Sequence, residues 1–141
     1  MKYLLKSILY LLFFTSFAMS YEVANLGNAN TMVCSYGRTY KNNAWHTIPE
    51  FDQDITYMKV RKGGRVIIAP KGTRYIYRSV DDNGIMEYKP TNGKYTLFVW
   101  PTRRAISVGG TMHNYTDILV VYYTKSGDKR GADGSCRLEY Q

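Results

Sequence analysis

Turn punctuation limits this chain more than any other feature. Lys62-Gly63-Gly64, Asp82-Asn83-Gly84 and Pro90-Thr91-Asn92-Gly93 each set a glycine, free to take positive φ, between short runs of β-branched and aromatic residues. The runs are Thr31–Thr39, Ile55–Arg61, Arg65–Ala69, Thr73–Val80, Ile85–Lys89, Lys94–Trp100, Arg103–Val108, Asp117–Thr124 and Ser135–Tyr140. Starts spaced roughly 8–12 residues apart are the signature of a sandwich or small barrel. No window beyond the N-terminal segment carries a helical apolar period. The expectation is an all-β fold: one small antiparallel β-barrel or sandwich of eight or nine short strands, spanning 31–141. Tyr21–Asn30 reads as a flexible leader, Asn42–Asp54 and Gly109–Thr116 as loops, and Ser126–Ser135 as a mobile hairpin tip. Ile118–Tyr123 is the longest apolar run after the N-terminal segment. It reads as a strand buried on both faces, with at least two of Ile118, Leu119, Val120 and Val121 fully buried.

Residues 1–20 read as an export signal. Lys2 and Lys6 precede the apolar run Ile8–Phe14, and Ala18 and Ser20 supply the small side chains that a signal peptidase accepts. Lys6 interrupts the run, and a spanning helix needs about 20 apolar residues. Cleavage is expected near Ser20, giving a secreted or periplasmic protein. An exported chain with two cysteines is expected to join them, here Cys34 to Cys136. Neither CxxC nor a finger-like Cys/His spacing occurs, so no metal site and no cofactor are expected.

The charge is uneven. Of 19 Lys and Arg, two lie in the signal, leaving 17 against 11 Asp and Glu, net +6. Lys59, Arg61, Lys62, Arg65, Lys71, Arg74 and Arg78 fall within Ile55–Val80, a stretch with no acid. Such a band attracts anions: an envelope glycan, a lipid head group or, least favoured, a nucleic acid. Tyr57, Tyr75 and Tyr77 are interleaved with it and offer stacking surfaces. The plain alternative is a solvated face whose cations blunt exposed strand edges. His46 and His113, with Glu50 or Asp52, are the candidates for acid–base hydrolysis. No GxSxG, HExxH or phosphate-loop pattern accompanies them, so no catalytic residue is assigned and a non-enzyme is expected. Asp81-Asp82-Asn83-Gly84 has the letters of a partial calcium loop, but it lacks the closing Glu and suits a hairpin turn.

Lys71-Gly72-Thr73-Arg74-Tyr75 resembles the Ser-Gly-x-Arg/Lys-Tyr motif of the periplasmic and membrane-bound inhibitors of C-type lysozyme. Cys34 precedes it and Gly84-Ile85-Met86-Glu87-Tyr88 follows like that family's next strand. The resemblance implies a small exported β-barrel with a disulfide between near-terminal segments. It also implies a loop that enters a hydrolase cleft, with Gly72, Arg74 and Tyr75 matching and Lys71 standing where the family has Ser. C-type lysozymes are basic, so a +6 chain meets long-range repulsion there. The reading is therefore a protein that acts by binding. Inhibitor-like engagement of a lysozyme-like hydrolase or another protein comes first. An anion-binding module for an envelope polymer or lipid comes second, and a hydrolase using His46 and His113 third.

Overall fold

The computed structural model describes residues 25–106, 110 and 112–140. The expected signal 1–20 and residues 21–24 of the leader lie outside them, as do residues 107 and 108 at the end of the run Arg103–Val108. Ten strands form among the described residues: β1 Thr31–Lys41, β2 Ala44–Thr47, β3 Ile55–Arg61, β4 Val66–Ile68, β5 Arg74–Val80, β6 Met86–Pro90, β7 Thr96–Val99, β8 Arg103–Ile106, β9 Met112–Tyr123 and β10 Lys129–Glu139. Each pairs antiparallel, and β10 pairs with both β1 and β9. This closes an eight-stranded barrel, β1-β3-β4-β5-β6-β7-β9-β10, with β2 added beside β1 and β8 beside β9. Of the two architectures expected, the chain adopts the barrel.

Closure follows from period-2 patterning. Met32 and Cys34 on β1, Met58 and Val60 on β3, Met86 and Tyr88 on β6, Leu97 and Val99 on β7, and Cys136 and Leu138 on β10 all point inward and are buried. Ile67 and Ile118 complete the filling from β4 and β9. An eight-stranded barrel is just wide enough for side chains to fill it. Cys34 sits opposite Cys136 in the β1–β10 register, and the two are bonded. The disulfide therefore joins the first and last strands across the seam.

The upper end of the barrel carries the turns β4–β5, β6–β7 and β9–β10. At the lower end the β3–β4 turn passes through Lys62, Gly63 and Gly64, all at positive φ. The buried Tyr88 hydroxyl donates to Gly64 O at 2.6 Å. Residues 25–30 also close this end, where the sequence suggested a flexible leader. Leu26 is 1% exposed and part of the core, and the Asn25 side-chain amide donates to Gly84 O. Asn30 N–H donates to Glu139 O at 2.9 Å. A single buried leucine in a polar stretch has no periodicity to announce it.

Three further differences have local causes. β2 lies inside the expected loop Asn42–Asp54, formed because Asn42 and Asn43 both take positive φ, the conformation of a two-residue hairpin turn. β9 begins at Met112 and so occupies much of the expected loop Gly109–Thr116. The expected mobile tip Ser126–Ser135 is mostly strand: only Thr124–Asp128 turns, with Asp128 N–H donating to Thr124 Oγ1 at 3.0 Å. In the apolar run of β9, Ile118 is fully buried and Val121 is 9% exposed, so one residue is fully buried where two were expected. The burial is also of a different kind: Ile118 points into the barrel, whereas Val121 lies on the outer face with Leu119.

Candidate functional site

Register decides where the basic residues go. Lys59 pairs with Ile68 and Ile68 with Arg74; Arg61 pairs with Val66, Val66 with Ile76, and Ile76 with Lys89. The two rows place Lys59, Arg61 and Arg74 on the outer wall of β3–β5, all exposed, with aliphatic side chains between them. Neighbouring strands lie about 4.8 Å apart, so these charges belong to one surface. Arg78 is exposed on the same strand, at the β5 bulge between Tyr77 and Ser79. The other three leave the wall. Lys62 and Arg65 sit at the lower turn, where the Arg65 guanidinium lies 5.8 Å from the Tyr77 ring. Lys71 is exposed in the upper turn, where Gly72 N–H donates to Ala69 O at 2.9 Å.

The interleaved tyrosines divide differently from the expectation. Tyr57 is exposed on the wall, whereas Tyr75 and Tyr77 pack against the core. Burial raises the Tyr75 hydroxyl above its ordinary pKa. Two of the three stacking surfaces are therefore turned inward. The inhibitor-like motif divides in the same way. Lys71 and Gly72 form an exposed tip, with Gly72 at φ +91° and open space around it. Arg74 faces outward from the adjoining strand, and Tyr75 is turned toward the core.

The histidines do not meet. His46 pairs with Thr39, Thr39 with Ala132, and Ala132 with Val120, whereas His113 pairs with Ala105 at the start of β9. From 113 to 120 is seven residues of strand, or roughly 20 Å along the barrel. His46 Nε2 instead lies 3.2 Å from Lys41 O. Glu50 and Asp52 are in an exposed 3-10 turn. Among the described residues no three His, Cys, Asp or Glu side chains are grouped to hold a metal. Asp81 accepts from Asn83 N–H and Ile85 N–H, each at 2.9 Å, which is the work of a turn.

Sequence reasoning missed a concave surface on the barrel's outside. On the outer face of β6, β7 and β9 a groove of about 750 Å³ has a floor of Thr96, Phe98, Leu119 and Val121. Lys89, Lys94, Lys125 and Lys129 stand around it. Lys89 Nζ reaches Thr96 Oγ1 at 3.1 Å and Glu87 at 3.5 Å. Lys129 Nζ lies 4.7 Å from the Tyr40 ring centre. A second, smaller groove adjoins it at Leu119 and holds both tryptophans, Trp45 and Trp100, with Arg38 paired to Asp133. The first groove draws on two hairpins distant in sequence, 87–98 and 119–129, and the pairings Thr96↔Val121 and Phe98↔Leu119 bring its floor together.

No protein family matches this chain, and no curated protein or solved structure does either.

Proposed function

We propose that this protein acts by binding, and that the outer wall of β3–β5 docks on an anionic envelope polymer or an anionic lipid surface. The observation that carries this reading is the gathering of Lys59, Arg61, Arg74 and Arg78 on the outer wall of β3–β5, on the two strands that flank β4, with no acid between Ile55 and Val80. Like charges gathered on one face repel one another unless solvent or a partner screens them. Scattered acids would relieve them without cost to the core. The wall's cations are exposed on open sheet surface, which suits a polymer or a charged surface.

The test is retention on heparin and on phosphatidylglycerol vesicles, comparing wild type with a variant carrying Arg61→Gln, Arg74→Gln and Arg78→Gln. The variant should elute at markedly lower salt and lose vesicle binding, with its circular dichroism unchanged. Equal retention of both proteins would leave the wall as ordinary solvated surface.

A second reading is favoured by the Lys71-Gly72 tip, which projects from the upper end on a two-strand stem. There the protein would be an inhibitor whose tip enters a hydrolase cleft, Lys71 reaching the catalytic carboxylates. Salt-tolerant, stoichiometric inhibition of a lysozyme-type enzyme, abolished by Lys71→Glu, is the outcome that separates it from the anion module.

A further inference from the structure

The groove on β6, β7 and β9 has a chemistry that asks for a particular occupant. Its floor is apolar, and Val121 at its base is only 9% exposed. Its rim carries four lysines against Glu87, which is itself paired with Lys89. A glycan laid on Phe98, Leu119 and Val121 would leave hydroxyls without partners. An acyl chain would stay half in water, because the groove lies open along the barrel wall. The complement is an apolar side chain flanked by carboxylates and carried on a folded body that covers the open side.

The chain itself presents such a group. Between β2 and β3, Glu50-Phe51-Asp52-Gln53-Asp54-Ile55 places three of the protein's 11 acids in five residues. No Lys or Arg occurs between Lys41 and Lys59. Phe51 is 89% exposed and Ile55 is 62% exposed. A phenylalanine this bare on a short 3-10 turn is held up to solvent, and nothing in the fold of one copy uses it. The turn itself is anchored, with Gln53 Nε2 donating to Ile48 O at 2.9 Å and Ile48 N–H donating to Gly37 O at 2.8 Å. The knob is carried between β2 and β3 and the groove lies across β6, β7 and β9, with β1 and β10 between β3 and β9 in the barrel order.

We propose that the Glu50–Ile55 turn of one copy docks in the lysine-rimmed groove of the next, with Phe51 on the Phe98–Leu119–Val121 floor and Glu50, Asp52 and Asp54 against the lysine rim. The contact joins two different patches, so it is heterologous and propagates head to tail into a ring or a filament. It does not involve the basic wall, which remains open to an anionic surface, and an assembly would present that wall many times over.

Sedimentation velocity over a wide concentration range tests this, with the mature, disulfide-bonded protein. Wild type should form species beyond a dimer as concentration rises. Phe51→Ser and Leu119→Lys should each weaken association by at least about tenfold, the scale set by removing one aromatic side chain from an apolar floor. Mixing the two variants is the decisive arm. The intact knob of Leu119→Lys fits the intact groove of Phe51→Ser, and the resulting pair has no second working contact, so a mixture should give a heterodimer and nothing larger. A peptide of residues 48–56 should dissolve wild-type assemblies, and the Arg61, Arg74 and Arg78 variant should assemble normally. A wild type that stays monomeric throughout overturns the proposal. So do single variants that associate like wild type, or a mixture that stays monomeric. Binding of phosphatidylglycerol vesicles that is lost with Lys94→Glu and Lys129→Glu, without self-association, would assign the groove to lipid instead.

Discussion

The two halves of the barrel wall are built differently. β1, β9 and β10 run for 11, 12 and 11 residues and pair along most of their length. β3 to β7 run for seven, three, seven, five and four residues. The long half holds the disulfide, and Arg38–Asp133, Arg103–Asp117 and Arg137–Glu139 pair on or beside it. The short half carries cations of one sign on β3 and β5 and relies on turns with left-handed residues to change direction. The difference teaches that cohesion and exposed charge occupy separate regions. The seam supplies register and covalent closure, so the opposite wall can hold a charge pattern that stabilises nothing within the fold.

The sharpest way to break this comparison is at Gly134. A Cβ there would lie 1.9 Å from Ser35 O and 2.7 Å from Tyr36 Cα, both backbone atoms that cannot yield without parting β1 from β10. Gly134→Ala should cost about 4 kcal/mol or prevent folding, read as the urea midpoint of the purified protein. A midpoint within experimental error of wild type would show that the seam is not where cohesion lies.

Removing the disulfide comes next. The bridge closes a loop with a sequence separation of 102, and the Cys34→Ser, Cys136→Ser protein should be less stable by about 3–4 kcal/mol. Wild type denatured without reductant should show no titratable thiol, and two thiols would remove the bridge from the account.

Alkali probes both halves more gently. Burial pushes the Tyr36 hydroxyl on β1 up to about 12, with Tyr75 adding to it. Burial also raises the Tyr88 hydroxyl on β6, Tyr77 again adding and Arg65 opposing. In each case the fold prefers the neutral phenol. The stabilisation is therefore complete below the unfolded value of 10.0 and is lost as pH climbs from there toward 12. The urea midpoint should fall across that interval. Tyr88→Phe, which loses the bond to Gly64 O, should cost about 1 kcal/mol at neutral pH and make the alkaline fall shallower. A fall of wild-type steepness in that variant would mean that the short half contributes nothing to it.

Much of the short half was legible in the sequence, because its turns are marked by glycine and its strands alternate. Ile55–Arg61 was delimited correctly, and β4 to β7 were found to within two residues at each end. In the long half β1 was found equally well, but β9 and β10 were read poorly for a physical reason. Gly131 and Gly134 look like the composition of a mobile tip, yet they sit in β10 because neighbouring backbone comes too close for a side chain; at Gly131 a Cβ would lie 2.7 Å from Val120 O. The start of β9, Met112-His113-Asn114-Tyr115-Thr116, has too little apolar alternation to be recognised, and tertiary pairing with β10 overrides its weak propensity. The basic residues were visible, but their division among wall, lower turn and upper tip was not, since it depends on which strand pairs with which. The groove was invisible for the same reason: only strand register sets its lysines around Leu119.

The pairing of β1 with β10 also sets the order of events in folding. A chain emerging from its N-terminus makes β1 first, while the strand that covers its outer edge is made last. β3 can join β1 early, and the hairpins from β3 to β7 can form as their residues appear. The sheet nevertheless stays open, with one side of β1 unpaired and Cys34 without its partner, until β10 arrives. Contacts of such long sequence separation must absorb the entropy of closing nearly the whole chain before they return anything. Barrel closure and disulfide formation thus wait on the same strand, and a deletion that takes β10 with Cys136 removes both at once.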